Sequence, residues 1–432
     1  MSSATESLFQ SAQRQHLAGD LAAAEALYRQ HLAANPDDAA GRHWLGCALH
    51  QQGRDAEALP WLQQAVQADS APAAWWFSLG IVSASLQHYA DAVAAFRAAL
   101  ARDVGQYFFW TNLGASEAAL GNAEQAEQAW LQAVKLKPEL PDAWFLLSAH
   151  HAAGGEATLA QQCNYRGIVC EGAGKHPPAT LAQALHEIGQ PEAAQALLRQ
   201  WLQQQPDNAI AQHLLAACGG SDTPARCSDD YVQQAFDQFS ASFERKLGEL
   251  DYQGPAMVAA LAAEQGWPQA AWRIADLGCG TGLIGSVLQP HASRLVGVDL
   301  SAGMLREALA KGIYQQLAQA ELGSWLATQP ERFELAVCMD TFIYIGELSV
   351  VLPAIARSLQ PGGQLVFSSE LLAGDAAGFH LNSSGRYSHA PAYLAAQLAA
   401  AGFARWQSRP VILRQESGVP MRGELYSAWL AA

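Results

Sequence analysis

Two carboxylates and three alternate glycines carry most of the chemistry written into this chain. Asp276 closes an apolar run, Ile274-Ala275-Asp276-Leu277. Gly278-Cys279-Gly280-Thr281-Gly282 and an amphipathic stretch from Leu283 to Leu288 follow directly. Glycines at that spacing let the backbone take positive φ and come close to a ligand, and the free N–H groups at the next helix start favour anionic or strongly polar groups. A carboxylate just before the first glycine would repel a phosphate and suits a cationic amino group. Further on, Arg294-Leu295-Val296-Gly297-Val298-Asp299 reads as a second strand ending in an acid, where nucleotide-binding α/β folds grip ribose hydroxyls. The chemistry implied is the binding of a nucleoside that carries an amino group.

The two acids together suit S-adenosylmethionine. A dinucleotide-binding parse, Gly280 to Gly285 as G-x-G-x-x-G, starts two residues late and leaves Asp276-Leu277-Gly278 unexplained. In motif, order and spacing these residues resemble the class I S-adenosylmethionine-dependent methyltransferases, whose loop reads D/E-x-G-x-G-x-G before an acidic second-strand end. The resemblance implies a cofactor site built from Asp276, Gly278, Gly280, Gly282, Asp299, Leu300 and Met304. Ala320, Glu321 and Leu322 join them at the third strand's end, with Glu321 on the adenine amino group where aspartate is commoner. It also implies that Asp340, Thr341 and Tyr344, after the fourth strand, face the methyl or the methionine end. No metal is required.

The elements that must hold these residues follow in order. Gln316 to Leu322 reads as the third strand and its end, Phe333 to Asp340 as the fourth strand, and Gln360-Pro361-Gly362-Gly363 as the turn into a fifth, Gln364 to Glu370. Met304 to Lys311 reads as a helix. Tyr231 to Leu247 reads as one amphipathic helix with Phe236, Phe239, Phe243 and Leu247 at steps of three and four and Ser228 or Asp229 as cap. Related small-molecule and peptide methyltransferases fold such a helix over the cofactor, which makes Tyr231 and Phe239 candidate cofactor contacts; the alternative is that both are core. Two stretches near the end, Ser384 to His389 and Leu413 to Pro420, resemble predicted bacterial methyltransferases that carry tetratricopeptide repeats. The second belongs to a strand hairpin with Ser417 to Pro420 in its turn. Arg386, Tyr387, Arg414 and Glu416 are thus substrate candidates, and His389 joins Asp340 and Tyr344 as a catalytic candidate. Arginine can hold a carboxylate bidentately and histidine can take a proton. A plain Arg414–Glu416 pair on a strand surface is the alternative.

Upstream, Leu45, Leu79, Leu113, Leu147 and Leu181 stand 34 residues apart, and so do Gly46, Gly80 and Gly114. Ala24, Ala58, Ala92, Ala126, Ala160 and Ala194 keep the same step without a break. So do Tyr28, Leu62, Phe96 and Trp130, and Gly19, Gly53, Gly121, Gly155 and Gly189. A strict period of that length means stacked helix pairs, and the columns resemble the tetratricopeptide repeat. Six units fit, 5–38, 39–72, 73–106, 107–140, 141–174 and 175–208, with a closing helix from Asn208 to Cys218. Small residues sit where helices cross closely and large ones fill the seams. Ser11 in the first unit and Asn164 and Gly167 in the fifth depart from the columns, marking a terminal cap and a distorted joint. The concave groove of such repeats binds partners. Here it offers His43, Cys47, Phe77, Phe108 and Phe145 and lacks the lysines and asparagines that clamp a peptide carboxylate, so an apolar or aromatic segment is the expected guest. Phe77 and Phe145 are its candidate contacts, unless they pack within the solenoid.

Net charge is −15, with 11 basic to 20 acidic residues in 1–220 and 14 to 20 in 221–432. Both halves would repel a phosphate backbone, which argues against a nucleic-acid partner. No apolar run approaches a membrane span or a signal peptide, and the seven cysteines are scattered without metal spacing, so a cytoplasmic protein with reduced thiols is expected. The fold expected is an α-solenoid (1–218), a linker (219–228) and a Rossmann-like α/β methyltransferase domain of mixed seven-stranded sheet (229–432). The function expected is methyl transfer from S-adenosylmethionine, leaving S-adenosylhomocysteine, to a peptide or protein recruited by the repeats. A small-molecule acceptor with the repeats serving assembly, and a cofactor-binding adaptor without turnover, are the alternatives.

Overall fold

The computed structural model describes residues 7–237, 240–329, 332–372, 374, 377–416 and 419–432. Its contacts divide the chain into two compact units, Met1–Glu156 and Ala157–Ala432.

The first unit is helical: α1 (Leu8–Leu17), α2 (Leu21–Ala34), α3 (Ala39–Gln51), α4 (Asp55–Ala65), α5 (Ala73–Ser85), α6 (Tyr89–Arg102), α7 (Tyr107–Ala119), α8 (Ala123–Leu136) and α9 (Pro141–Ala153). A capping box starts it: Ser7 Oγ accepts from the Gln10 N–H while the Gln10 side chain accepts from the Ser7 N–H. The 34-residue columns are packing columns. A Cβ added at Gly46 would lie 2.6 Å from Leu62, at Gly80 2.4 Å from Phe96, and at Gly114 2.5 Å from Trp130, so the glycine column is the hole that receives the large column. The alanine column is buried throughout, from Ala24 to Ala126 in this unit.

The turn between paired helices needs a left-handed residue. Gly19, Gly53, Gly121 and Gly155 supply it, and the third repeat uses Gln87 at φ +62°. A non-glycine there costs roughly 1–2 kcal/mol, partly returned because glycine loosens the unfolded chain. Gln87→Gly is therefore expected to stabilise this unit by about 0.5–1 kcal/mol. A rise in the midpoint of urea unfolding checks it, with Gly53→Gln moving it the other way.

The second unit begins inside the fifth repeat, at α10 (Ala157–Glu171), and continues through α11 (Pro178–Glu187), α12 (Pro191–Gln204) and α13 (Ala209–Ala217). The boundary read from the sequence at 218 and 229 thus falls within this unit. Ala209, Ala216 and Ala217 of α13 share a buried cluster with Cys227, Tyr231, Leu381 and Tyr387. Next come α14 (Asp229–Asp237), a 3₁₀ turn (Ser240–Ser242), α15 (Phe243–Glu249) and α16 (Gly254–Gln265). The single helix expected over Tyr231 to Leu247 is therefore two helices, because the chain turns at Ser240 to bring Phe243 beside Phe236, their centroids 5.9 Å apart. Ser228 caps the first, accepting from the Tyr231 N–H at 3.1 Å. Phe239 lies outside the described residues.

The remaining elements are β1 (Trp272–Leu277), α17 (Leu283–Leu288), β2 (Ala292–Asp299), α18 (Ala302–Ala310), β3 (Gln316–Gln319), α19 (Leu322–Thr328), β4 (Phe333–Cys338), α20 (Val351–Ser358), β5 (Leu359–Glu370), β6 (Phe379–Leu381), β7 (Tyr387–His389), α21 (Pro391–Ala400), β8 (Phe403–Glu416) and β9 (Val419–Leu430). Seven strands form one mixed sheet in the order β3-β2-β1-β4-β5-β9-β8, with β9 antiparallel to β5 and to β8. Apolar clusters cover both faces: Leu277, Phe342 and Phe367 on one, Ile274, Leu288 and Val337 on the other. Order reverses between β1 and β4, so the crevice for a ligand opens at the carboxyl ends of those strands. Two local expectations change. Gln360 to Gly363 bulges within β5 and does not precede it, since Phe333 pairs with Leu359 and Leu335 with Gln364. Pro420 pairs with Gln415 inside the hairpin strands, while Ser417 and Gly418 lie outside the described residues. Among the described residues no helix is long and apolar enough to cross a membrane.

Candidate active site

The loop between β1 and α17 is built as its composition requires. Gly278, Gly280 and Gly282 have φ of +74°, +53° and +84°. A Cβ at Gly278 would strike Thr341 Oγ1 at 2.2 Å, so that glycine serves the close approach of two strand ends. A Cβ at Gly280 would meet only Phe243 Cε1, at 4.0 Å, and this is where the loop leaves room for a ligand. Gly282 turns toward Tyr314, whose ring would lie 3.0 Å from its Cβ.

A cavity of about 400 Å³ opens on this loop, within the ~300–1,000 Å³ range of small-molecule sites. Gly278, Gly280, Asp299, Leu300 and Met304 line it, as do Ala320, Glu321 and Leu322 after β3 and Asp340 and Tyr344 after β4. Asp299 is anchored from both sides, Oδ2 accepting from the Gly280 N–H at 2.9 Å and Oδ1 from the Ser301 N–H at 2.8 Å. Burial raises its pKa against these bonds. Glu321 caps α19, accepting from the N–H groups of Gly323 and Ser324 at 2.9 and 2.7 Å, and also borders the cavity.

Asp276 does not line the cavity. It is 1% exposed and accepts from the Tyr314 hydroxyl at 2.6 Å. Side chains alternate along β1, so the acid two residues before the first glycine turns beneath the loop. Burial, more than any neighbour, pushes its pKa up to about 7. The folded chain thus holds this proton more tightly than the unfolded chain, a stabilisation present below the ordinary value of 3.8 and lost as pH rises through about 7. Asp276→Asn, permanently uncharged, is expected to melt near the wild type at about pH 4 and several degrees above it at pH 8, without cofactor. A difference that does not grow with pH would refute the assignment.

At the other end stands a cluster that the sequence only hinted at. Arg414, 4% exposed, donates from Nη1 to Asp340 Oδ2 at 2.9 Å, from Nε to Glu416 Oε1 at 2.7 Å, and from Nη2 to Glu370. Arg386 donates from Nε to Glu370 Oε1 at 3.0 Å and from Nη2 to both Glu416 oxygens at 2.6 Å. Asp340 also accepts from the Ser368 hydroxyl at 3.0 Å, and burial raises its pKa. Burial works against the Arg414 charge, and the three carboxylates outweigh it. Arg414 is therefore fully engaged and has no fork to offer a substrate carboxylate; nor is its pair with Glu416 a surface pair.

Three candidates are placed elsewhere. His389, 1% exposed, donates from Nε2 to the carbonyls of Ile345 and Gly346 at 2.9 and 3.1 Å and accepts from the Ser369 hydroxyl at Nδ1. Burial first of all lowers its pKa to about 4, so it is a neutral tie between loops and not a base at the cavity. Tyr387 donates to the Pro224 carbonyl at 2.8 Å, and Tyr231 packs on His213 at 4.2 Å; neither lines the cavity. In the first unit Phe77 lies among Phe109, Phe108 and Phe96 at 4.9, 5.0 and 5.7 Å, which makes it seam packing; Phe145 is half-buried.

Reasoning from sequence missed Phe243 and Tyr252 as lining residues and Glu370 in the cluster. It also missed two ties from α14 and α15 to the cofactor loops. Glu244 accepts from the Thr281 hydroxyl and from Lys311 Nζ, both at 2.7 Å, and Asp237 accepts from Ser301 Oγ at 2.5 Å and from the Gly303 N–H at 3.0 Å. The amphipathic spacing of Phe236 and Phe243 was the available signal.

Residues 275–367 match the family described as a methyltransferase domain, and 18–73 and 111–164 that of the tetratricopeptide repeat. The ubiquinone biosynthesis O-methyltransferase of Ralstonia nicotianae is 30% identical over 171 residues, which cover 36% of this chain and 71% of that protein. The corresponding protein of Klebsiella pneumoniae is 28% identical over 101 residues, 22% of this chain, and the chain spans only 42% of that relative's length. Among solved structures, magnesium protoporphyrin IX methyltransferase from Synechocystis is 17% identical, covering 47% of this chain and 100% of that one, TM-score 0.37. MamA is 20% identical, covering 37% and 94%, TM-score 0.36. The chain belongs to the S-adenosylmethionine-dependent methyltransferases, as a member that carries tetratricopeptide repeats.

Proposed function

We propose that the chain transfers the methyl group of S-adenosylmethionine to a side chain or terminal group of a peptide or protein brought to it by the repeats. The observation that carries the transfer is one cavity bounded by the glycine loop and Asp299 at one end and by Asp340, Tyr344 and the Arg386–Glu416 pair at the other. The residues fit the cofactor: Gly280 leaves the space, and the carboxylates of Asp299 and Glu321 on the cavity's lining support the reading that the first takes the ribose hydroxyls and the second the adenine amino group. When bound, the cofactor supplies an electrophilic methyl on a sulfonium. The chain's own work is orientation and exclusion of water. Phe236, Phe243 and Leu247 give the cavity apolar walls. Tyr344, whose phenol burial raises far above its ordinary pKa, stays protonated and donates to the acceptor. Asp340, its pKa raised, holds the proton that the acceptor gives up.

The repeats, and the sharing of a core between α13 and the sheet domain, support a protein acceptor. The relatives' names favour a small molecule methylated on oxygen. Labelled S-adenosylmethionine added with the purified chain to a lysate, resolved by size, separates the two. Label in macromolecules supports the first, label in metabolites the second, and no label above a boiled control refutes transfer.

A further inference from the structure

The hairpin of β6 and β7 carries Arg386 into the cavity, and its tip rests on the sixth repeat and the closing helix α13. Gly385, at φ +81°, lies against α13 and α14: a Cβ there would be 2.7 Å from the Tyr231 hydroxyl and 3.2 Å from Leu214. His213 of α13 donates from Nε2 to the Gly385 carbonyl at 2.9 Å. Glu187, at the end of α11, accepts from the Ser383 hydroxyl. Within the tip, Asn382 donates from its main-chain N–H and from Nδ2 to the Arg386 carbonyl at 2.8 and 3.0 Å. The next side chain, Arg386, turns the other way, to Glu370 and Glu416.

We propose that His213 and Glu187 are positioning residues for the transfer: the sixth repeat and the closing helix together hold the 382–386 turn so that the Arg386 guanidinium forms the acceptor end of the cavity. Apolar packing of Leu214 alone would let the turn slide. Two directional hydrogen bonds from separate helices fix its place, and Arg386 demands that placement because its Nε and Nη2 must reach Glu370 and Glu416 at once. The inference rests on the methyl-transfer reading. It gives the sixth repeat and the closing helix a part in acceptor recognition beyond any groove.

The test uses the full chain, labelled S-adenosylmethionine, and a dilution series of lysate from the source strain lacking the gene as acceptor. His213→Leu and Glu187→Ala are expected to raise the apparent KM for the lysate acceptor about fivefold or more while S-adenosylhomocysteine affinity by calorimetry stays within about twofold. His213→Gln, which keeps a donor at the Nε2 position, and Glu187→Gln, which keeps an acceptor, should restore KM. An unchanged KM in folded variants overturns the proposal. So does a loss of cofactor affinity in step with KM, the mark of mere loosening. If His213→Leu does not fold, the exposed Glu187 pair decides alone. Failure of the wild type to label anything overturns methyl transfer itself, and this inference with it.

Discussion

Arg414→Met will destabilise the sheet-containing unit by roughly 3–5 kcal/mol, the scale for removing one partner from a buried ion pair. The reason is local. Arg414 is the only one of the two guanidiniums that reaches Asp340, and it reaches Glu370 and Glu416 as well. Methionine fills much of the same volume, leaves Glu370 and Glu416 with Arg386 alone, and leaves Asp340 with no guanidinium. Arg414→Lys should recover part of the loss, because an ammonium keeps the charge but cannot present three donors in a planar fork. Asp340→Asn in the Arg414→Met background should recover part as well, by removing a charge that has lost its guanidinium partner. Chemical unfolding of the full chain, followed by a signal from the second unit, measures this. A loss under about 1 kcal/mol would mean the cluster is solvated as a surface pair would be.

Asp299→Ala will weaken cofactor binding by at least about tenfold. Hydrogen bonds to a charged group are worth ~1.5–3 kcal/mol, and ~1.4 kcal/mol is one decade in affinity. The same substitution frees the N–H groups of Gly280 and Ser301, so the loop loses its tie to β2 as the ribose loses its acceptor. Asp299→Asn keeps one acceptor oxygen and should fall between. Calorimetry with S-adenosylhomocysteine is the measurement, after melting shows both variants folded. An unchanged dissociation constant in Asp299→Ala would remove this residue from the site.

What could be read in the sequence followed from how local the cause is. The glycine loop, the acid ending β2 and the 34-residue columns each act over a few neighbouring residues or one repeat step. Gly46, Gly80 and Gly114 indeed face the large side chains that the period pairs with them. Asp276 misled because its type suits an amino group, while its facing depends on strand alternation beneath a loop. His389 misled similarly: a histidine in a polar stretch reads as a base until two carbonyls and a serine close around it. The Arg414 cluster joins residues 340, 370, 386, 414 and 416 from three strand ends and a hairpin, a tertiary fact with no spacing to announce it. The break near Ser240 was hidden because both helices keep the same apolar step.

The central claim is that one cavity, between the glycine loop and the Asp340 end, holds the cofactor. Hydrogen exchange of the full chain with and without saturating S-adenosylhomocysteine tests it most directly. Slower exchange is predicted in 278–282, 299–304, 320–324 and 339–345, and in 240–252 of the helices that wall the cavity. No slowing on addition of the ligand, or slowing confined to other segments, would contradict it.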